Sequence, residues 1–293
     1  MNELPLDNLQ SISLAELNRD ASLLTRKDRK YLVPLPVARR LVEVNDLHVL
    51  EIDGRRSFRY ESVYFDTPDR VSYLAAAHKR RRRFKVRTRS YLDSGGCSLE
   101  VKTRERRGLT EKHRLPYEVE QRACLNSEAL EFVDQFERIA PLSRHLEPVL
   151  TTRYERTTLL EPNSMSRITI DTNLEIETAG GANLTLPAMA VVETKTSGQP
   201  CAVDHFMWSV HQRPTKISKY CTGLAALTPG LPANKWNRVL RSFFGWTPQP
   251  DELASRRRES VAARAARRST GSTSRAARAA TSATVPVSIA RCR

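Results

Sequence analysis

Positively charged side chains alternate with uncharged ones along several segments of the chain. In residues 84–90 the order is Phe-Lys-Val-Arg-Thr-Arg-Ser, so Lys85, Arg87 and Arg89 would share one face of a β-strand. Arginine can fork onto two phosphate oxygens, whereas lysine acts as a mobile point charge. Such a row is therefore suited to holding a phosphate-rich ligand. Charged rows recur in residues 99–104, 167–171 and 191–195.

The rows also contain three spaced carboxylates, Glu100, Asp171 and Glu193. A charged row on a single strand is usually the solvated face of a half-exposed sheet. Four mixed rows favour a different arrangement, in which the sheet closes into a barrel and the rows line a polar, mostly positive lumen. Because crowded like charges are unfavourable in an empty lumen, we expect a polyanion and a divalent cation inside it.

The elements that would position these rows follow from the apolar periodicity. Alternation with a period of two dominates from residue 58 to about residue 195 and is broken by turn-forming clusters, as in an antiparallel sheet with hairpins. The sequence predicts an α+β fold, a closed antiparallel β-barrel with flanking helices. Helical spacing predicts helices over residues 36–47, 126–139, 202–212, 217–227 and 234–244.

The 293-residue chain carries a formal net charge of +15. Residues 251–293 hold ten arginines and three carboxylates, and they lack apolar periodicity. We expect an N-terminal arm over residues 1–24, one domain over 25–247 and a disordered basic tail over 248–293. The folded part stays basic without the tail, which points to a polyanionic partner without distinguishing nucleic acid, a membrane surface or phosphate-rich small molecules.

The five cysteines are odd in number, scattered and without a C-x-x-C pair, which argues against a disulfide framework or a zinc site. The N-terminus has no signal-like segment, and no apolar run approaches 18 residues. We therefore expect a cytoplasmic protein without a transmembrane segment. No Walker, G-x-G-x-x-G or H-E-x-x-H motif is present, so nucleotide binding of the P-loop or Rossmann type and zinc-dependent proteolysis are not expected.

Eight short motifs occur in the order seen in VTC domains, the catalytic modules of the vacuolar transporter chaperone and its bacterial relatives. Each motif is common alone, but the ordered set is specific, and over residues 25–228 the chain resembles this family. The motifs lie at residues 28–31, 62–67, 85–89, 99–102, 154–157, 167–171, 192–195 and 217–220.

The resemblance implies a triphosphate-tunnel fold and an ATP-dependent polyphosphate polymerase, which transfers the γ-phosphate of ATP to a growing polyphosphate chain. ATP and polyphosphate would be its partners. Glu193 would bind Mn²⁺ or Mg²⁺. The residues implied in catalysis are Lys30, Arg87, Arg89, Lys102, Arg156 and Lys219. The residues implied in substrate binding are Lys112, Arg114, Arg153, Arg167, Lys195 and Ser218.

Two other functions are considered. Triphosphatases and adenylate cyclases of the CYTH type share the fold but begin with E-x-E-x-K, where this chain has Arg26-Lys27-Asp28-Arg29-Lys30, so a hydrolase would lose its metal site. A tunnel can also keep its phosphate grip and lose turnover, which would leave a polyphosphate- or nucleotide-binding module. The sequence favours activity, because it retains the implied phosphate and metal ligands Lys30, Arg87, Arg89, Glu193 and Lys219. No phosphate-sensing SPX domain is recognisable, so we expect a standalone bacterial-type protein.

Two basic segments stay open in function. The run from His78 to Arg83 would be either an electropositive entrance that guides polyanions or a hairpin edge protected from pairing by its charge. The arginine-rich tail would bind nucleic acid or polyphosphate only nonspecifically, as a solvated charge run. No specific nucleic-acid site is expected.

Overall fold

The computed structural model describes residues 4–20, 27–104 and 110–247, which form an α+β fold around one large sheet. The predicted tail, residues 248–293, lies outside the described residues. Within the predicted arm, residues 4–20 contribute a short strand and a short helix. The strands are β1 (Gln10–Ile12), β2 (Lys27–Pro34), β3 (His48–Leu50), β4 (Phe58–Asp66), β5 (Arg83–Tyr91), β6 (Gly96–Arg104), β7 (Thr110–Pro116), β8 (Glu147–Glu161), β9 (Ser166–Thr178), β10 (Asn183–Leu186) and β11 (Met189–Thr196).

Seven α-helices flank this sheet in the part of the chain that is described. The five predicted helices are present, each shorter than its apolar pattern. Asn126 caps α4, since its side chain accepts a hydrogen bond from the Ala129 N–H at 2.8 Å. The helices are α1 (Leu14–Asp20), α2 (Leu35–Val44), α3 (Val71–Ala77), α4 (Ser127–Asp134), α5 (Ala202–Ser209), α6 (Lys219–Leu227) and α7 (Asn237–Phe243), and 3₁₀ turns cover Val119–Gln121 and Ala140–His145.

The principal strand order is β2-β11-β9-β8-β4-β5-β6-β7, and every pairing along it is antiparallel. The prediction of a closed barrel is wrong, because the described parts of β2 and β7 do not pair with each other. The free edge of β2 is used by the segment before α6, whose Thr215 N–H donates to the Lys30 carbonyl at 2.7 Å. A closed barrel would require the two edge strands, β2 and β7, to pair with each other, and the edge of β2 already has this partner.

Although the sheet is open, it curls strongly. Lys30 on β2 and Glu193 on β11 lie at the far end of the strand order from Lys102 on β6, yet both are close enough to affect the pKa of Lys102. The concave side of the curl is called the inner face here. It is defined by the residues Lys30, Arg87, Glu100, Lys102, Arg156, Asp171 and Glu193.

The outer face is covered by helices. Apolar side chains of α2 and α5 pack on β2, β8, β9 and β11, while α4 packs on β4, β5 and β6. Burying each large apolar side chain contributes about 1.5–3 kcal/mol, so these layers hold the curved sheet in shape. A buried polar cluster fixes α5, since Asp204 accepts hydrogen bonds from Arg29 at 3.1 Å, Tyr31 at 2.7 Å and Thr194 at 2.8 Å. These bonds compensate for the cost of burying the ion pair.

The inner face is occupied at its two ends. Helix α1 closes one end, where Leu17 packs with Leu160 near the last residues of β8. Helices α6 and α7 pack near the other end, against Leu150 and Ile176. Between these apolar ends lies the charged middle of the sheet.

Of the four described cysteines, Cys97, Cys201 and Cys221 carry free thiols and Cys124 is disulfide-bonded. None of the described helices is long and apolar enough to cross a membrane.

Close packing of α6 against the sheet depends on Gly223. A Cβ atom there would lie 2.7 Å from Cγ2 and 2.9 Å from Cδ1 of Ile176. We expect Gly223→Ala to lower the free energy of unfolding by about 1–2 kcal/mol, because overpacking exceeds the gain in helix propensity. Urea unfolding measures the change. The control is Gly180→Ala, whose Cβ would meet its nearest atom at 3.9 Å; an equal effect in both variants would contradict the packing argument.

Candidate functional site

Strand β5 places its charged residues as the alternation predicts. Arg87 lies on the inner face and donates to Glu100 through Nε at 2.8 Å and Nη2 at 2.6 Å. Its Nη1 donates to the Tyr64 hydroxyl at 3.1 Å. Lys85, on the same face, donates to the Ser218 hydroxyl at 2.8 Å. Both predicted site residues, Arg87 and Ser218, therefore hold defined positions.

Glu100 is the shared counter-ion of three cations. Besides Arg87, its carboxylate pairs with Lys112 and with Arg114, the latter at 3.2 Å, both on β7. Only 2% of the Glu100 side chain is exposed. Burial alone would raise its pKa, but Arg87, Arg89 and Lys112 hold it well below its usual value. Glu100 therefore stays ionised and neutralises the cations around it.

Asp171 on β9 forms the second cluster. Arg156 donates to both of its oxygens, at 2.6 and 2.8 Å, in a forked pair. Lys219, in the first turn of α6, donates to the same carboxylate. Burial would raise the pKa of Asp171, yet Arg156 and Lys219 lower it far below its usual value. Helix α6 is thus joined to β9 through a charged contact on the inner face.

Glu193 on β11 forms the third and loosest cluster. Its carboxylate lies 3.6 Å from Lys30 and 3.7 Å from Lys195, too far for hydrogen bonds. Burial opposes ionisation, but Lys30 and Lys195 lower the pKa of Glu193 well below its usual value. The carboxylate is therefore ionised and bound only by long ion pairs.

Arg89 differs from the other inner cations. It is only 8% exposed, and its Nη2 donates to the Tyr154 hydroxyl at 3.1 Å. Its Nε is buried without a hydrogen-bond partner. A buried, unsatisfied donor is costly, so this atom is available for an acceptor from outside the chain.

Three lysines on the inner face have lowered pKa values. Burial, with help from Lys30 and Lys85, lowers the pKa of Lys102 to about 8. Burial lowers the pKa of Lys112 to about 7 despite Glu100, and that of Lys195 to about 8 despite Glu193. A bound anion would reverse these shifts, since it favours the protonated lysine.

Tyrosine rings lie between the cations of the inner face. The sequence analysis did not predict this role for tyrosines. Tyr60 stacks on Tyr154 with ring centroids 5.4 Å apart, and the Arg156 guanidinium lies 5.4 Å from the Tyr60 centroid. Lys219 lies 4.2 Å from the Tyr154 centroid. Such contacts orient the cations without neutralising them. Alternation along β4 was the available signal, because it places Tyr60 and Tyr64 on one face.

Two predicted residues are not brought into these clusters. Arg153 lies on the outer face, where it pairs with Glu61 at 2.7 Å and Glu177 at 2.9 Å. Arg153 and Arg156 are three residues apart on β8, so alternation places them on opposite faces of the sheet. Arg167 instead reaches α1, where its Nη2 donates to the Leu17 carbonyl at 2.9 Å.

A divalent cation is compatible with this site only if the ligand helps to bind it. In residues 4–20, 27–104 and 110–247, no group of three His, Cys, Asp or Glu side chains could hold a metal by itself. Mg²⁺ typically binds through one or two carboxylates together with substrate phosphates and water. Glu193, an ionised carboxylate without a hydrogen bond, fits that role.

A curved sheet in an α+β fold thus gathers basic side chains around three buried carboxylates. The family model of the VTC domain matches residues 25–228. The chain belongs to the VTC domain family, as the ordered motifs predicted. No curated protein matches the chain significantly.

Three solved structures are among those similar to this chain. A candidate adenylate cyclase from Vibrio parahaemolyticus is 12% identical, covers 64% of this chain and 89% of its own, and has a TM-score of 0.38. A candidate adenylate cyclase from Bacillus halodurans is 13% identical, covers 77% of this chain and 92% of its own, and has a TM-score of 0.37. The Hippeastrum protein HpAC1 is described as having a dominant triphosphatase activity. It is 15% identical, covers 72% of this chain and 100% of its own, and has a TM-score of 0.43. Similarity at this level says nothing about the activity of this chain.

Proposed function

We propose that the protein is an ATP-dependent polyphosphate polymerase that transfers the γ-phosphate of ATP to a polyphosphate chain held on the inner face. Membership of the VTC domain family supports a polyphosphate-related function. The observation that carries the proposal is the buried Arg89 Nε, which lacks a partner among cations gathered from several strands. An anion with many oxygens would satisfy it.

The three carboxylates offset part of the positive charge of the inner face when no ligand is bound. A triphosphate would compete with Glu100 for Arg87 and with Asp171 for Arg156, because phosphate oxygens accept the same forked hydrogen bonds. Lys219 would turn from Asp171 toward the phosphates. The phosphate ligands in this proposal are Lys30, Arg87, Arg89, Lys102, Lys112, Arg114, Arg156, Lys195, Ser218 and Lys219.

Transfer itself needs little covalent chemistry from the protein. The transferred group must be held in line with its acceptor while charge develops on its oxygens. Arg87, Arg89 and Arg156 hold those oxygens in a site shielded from water, where electrostatic stabilisation is strongest. Mn²⁺ or Mg²⁺ at Glu193 would neutralise further phosphate charge. The N-terminus of α6, capped by Ser218, adds a positive dipole end beside Lys219.

A triphosphatase is the second candidate. Asp28 lies two residues before Lys30 on β2 and acts electrostatically on Lys102 and Lys195, so a second carboxylate is close to Glu193. Two carboxylates could support metal-assisted attack by water. A binding module without turnover is the third candidate.

The deciding experiment incubates the purified protein with ATP and Mn²⁺ and analyses the products by gel and by phosphate assay. Long polyphosphate chains with ADP are the expected products. Free phosphate without chains would instead establish a triphosphatase. Triphosphate binding with neither product would leave a binding module.

Arg89→Gln tests the phosphate grip. We expect a loss of roughly 10- to 100-fold in tripolyphosphate affinity, since hydrogen bonds to charged groups contribute about 1.5–3 kcal/mol. Isothermal titration calorimetry measures it. Arg153→Gln is the matched control, because it removes the same charge from the outer face. Equal losses in both variants would mean that net charge, and not the inner face, governs binding.

Glu193→Gln separates metal binding from phosphate binding. Without metal, we expect tripolyphosphate affinity to rise, because a negative charge is removed from beside Lys30 and Lys195. Turnover with Mn²⁺ should disappear. Full metal-dependent turnover in this variant would show that another carboxylate holds the ion. Glu177→Gln, on the outer face, is the control and should change neither quantity.

The pKa values of the inner lysines predict proton uptake on binding. Lys112, Lys102 and Lys195 have pKa values of about 7, 8 and 8, and a bound anion raises them. Binding of tripolyphosphate near about pH 8 should therefore make these lysines take up protons, and the affinity for tripolyphosphate should fall as the pH rises. Calorimetry in two buffers of different ionisation enthalpy measures the uptake. Lys112→Met should reduce it, while the ligand's own protonation cancels in the comparison; undiminished uptake would contradict the assignment.

A further inference from the structure

A second group of basic residues lies outside the inner face. Arg80, Arg81 and Arg82, from the loop between α3 and β5, line a cleft of about 670 Å³ together with Arg138 and Ala75. Arg138 comes from the segment after α4, so two distant parts of the chain contribute guanidinium groups. The sequence run from His78 to Arg83 left two interpretations open, and the fold adds the fourth arginine and the concave shape.

These four arginines lack the counter-ions that the inner face has. None of them forms an ion pair within the described part of the chain. On the inner face, by contrast, Glu100 and Asp171 each pair with at least two cations. Like charges placed around one cavity without a carboxylate repel one another, and an anion removes that repulsion. The cleft is therefore suited to a ligand with several negative charges.

The loop has a defined backbone that presents these side chains. The Arg80 N–H donates to the Ala75 carbonyl at 2.9 Å, and the Arg83 Nη1 donates to the Arg80 carbonyl at 3.0 Å. The guanidinium groups of Arg81 and Arg138 are exposed and take no part in these bonds. They can approach a ligand without disturbing the fold.

The lining also restricts the class of ligand. Sites for single-stranded nucleic acids combine basic side chains with aromatic rings on which bases stack. Four arginines and an alanine supply no such ring. A chain of phosphates without bases uses only the forked arginine contacts that the cleft offers.

Position links the cleft to the inner face. Arg82 is followed by Arg83, which begins β5 and lies opposite Arg104. Burial and the nearby Arg104 lower the pKa of Arg83, as expected for crowded cations. From Arg83 the row continues along the inner face through Lys85, Arg87 and Arg89.

The cleft lies at the end of the sheet away from α1, where β5 and β8 begin. Glu147, the first residue of β8, pairs at 2.9 Å with Arg70, which precedes α3. Near the last residue of β8, Leu160 packs with Leu17 of α1. The α3–β5 loop therefore shares this end of the sheet with α6 and α7, which pack near the first residues of β8.

We propose that the cleft of Arg80, Arg81, Arg82 and Arg138 binds inorganic polyphosphate as a second site outside the inner face, where it holds the chain beyond the reacting end. The role in chain growth rests on the proposed function, whereas binding by the cleft does not.

The test compares Arg81→Ser/Arg138→Ser with Arg40→Ser/Arg241→Ser, which removes the same charge from α2 and α7. Long-chain polyphosphate and tripolyphosphate are titrated into each full-length protein, so the arginines of residues 251–293 contribute equally throughout. We expect the cleft variant to lose roughly tenfold in long-chain affinity and to have a smaller salt dependence, with unchanged tripolyphosphate affinity. The control variant should keep the wild-type long-chain affinity.

Equal long-chain affinity in the two double variants would overturn the proposal. Competition with single-stranded RNA gives a second contradicting outcome. If RNA binds the wild type as tightly as long-chain polyphosphate does, and the cleft variant loses the same affinity for both, the cleft is a general polyanion surface. If wild type fails to bind tripolyphosphate but its long-chain affinity still depends on Arg81 and Arg138, the cleft is established and the proposed function of the inner face fails.

Discussion

The neutralisation of inner cations by buried carboxylates is the constraint on which the rest of the structure depends. Glu100, Asp171 and Glu193 each lie among two or more basic side chains, and all three remain ionised because those cations lower their pKa values. Without them, repulsion among the cations would oppose the curl of the sheet. The same carboxylates hold Arg87 and Arg156 in fixed forked geometries. A ligand that replaces them meets cations already in position, so less side-chain entropy is lost on binding.

The outer layers make this inner arrangement possible. On β2, Arg29 and Tyr31 point outward to Asp204, which places Lys30 between them on the inner face. The buried polar cluster around Asp204 thus fixes the strand that carries one of the candidate ligands. Gly223 has a similar effect on α6, since its missing Cβ lets the helix approach Ile176. That approach sets the positions of Ser218 and Lys219 at the helix N-terminus.

Sequence alternation predicted the inner face well but not its limits. The shared face of Lys85, Arg87 and Arg89 follows from alternation along a single strand, so the sequence alone predicted it. The outward position of Arg153 follows from the same alternation, because Arg153 lies three residues from Arg156 on β8, and its assignment to substrate binding failed on that point. Closure of the sheet also failed as a prediction, since the partner of the β2 edge, Thr215, lies 185 residues away from Lys30. Nonlocal pairing of this kind leaves no local periodic signal.

The looseness of the Glu193 cluster has a chemical meaning within this arrangement. Glu100 and Asp171 accept short, charge-assisted hydrogen bonds, which a metal ion would have to displace at considerable cost. Glu193 has only two long ion pairs, so an incoming cation displaces Lys30 and Lys195 rather than breaking forked bonds. The lysines freed in this way can turn to phosphate oxygens, which favour their protonated forms. Metal and phosphate would therefore bind together more favourably than either alone, because each relieves the charge that the other leaves unpaired.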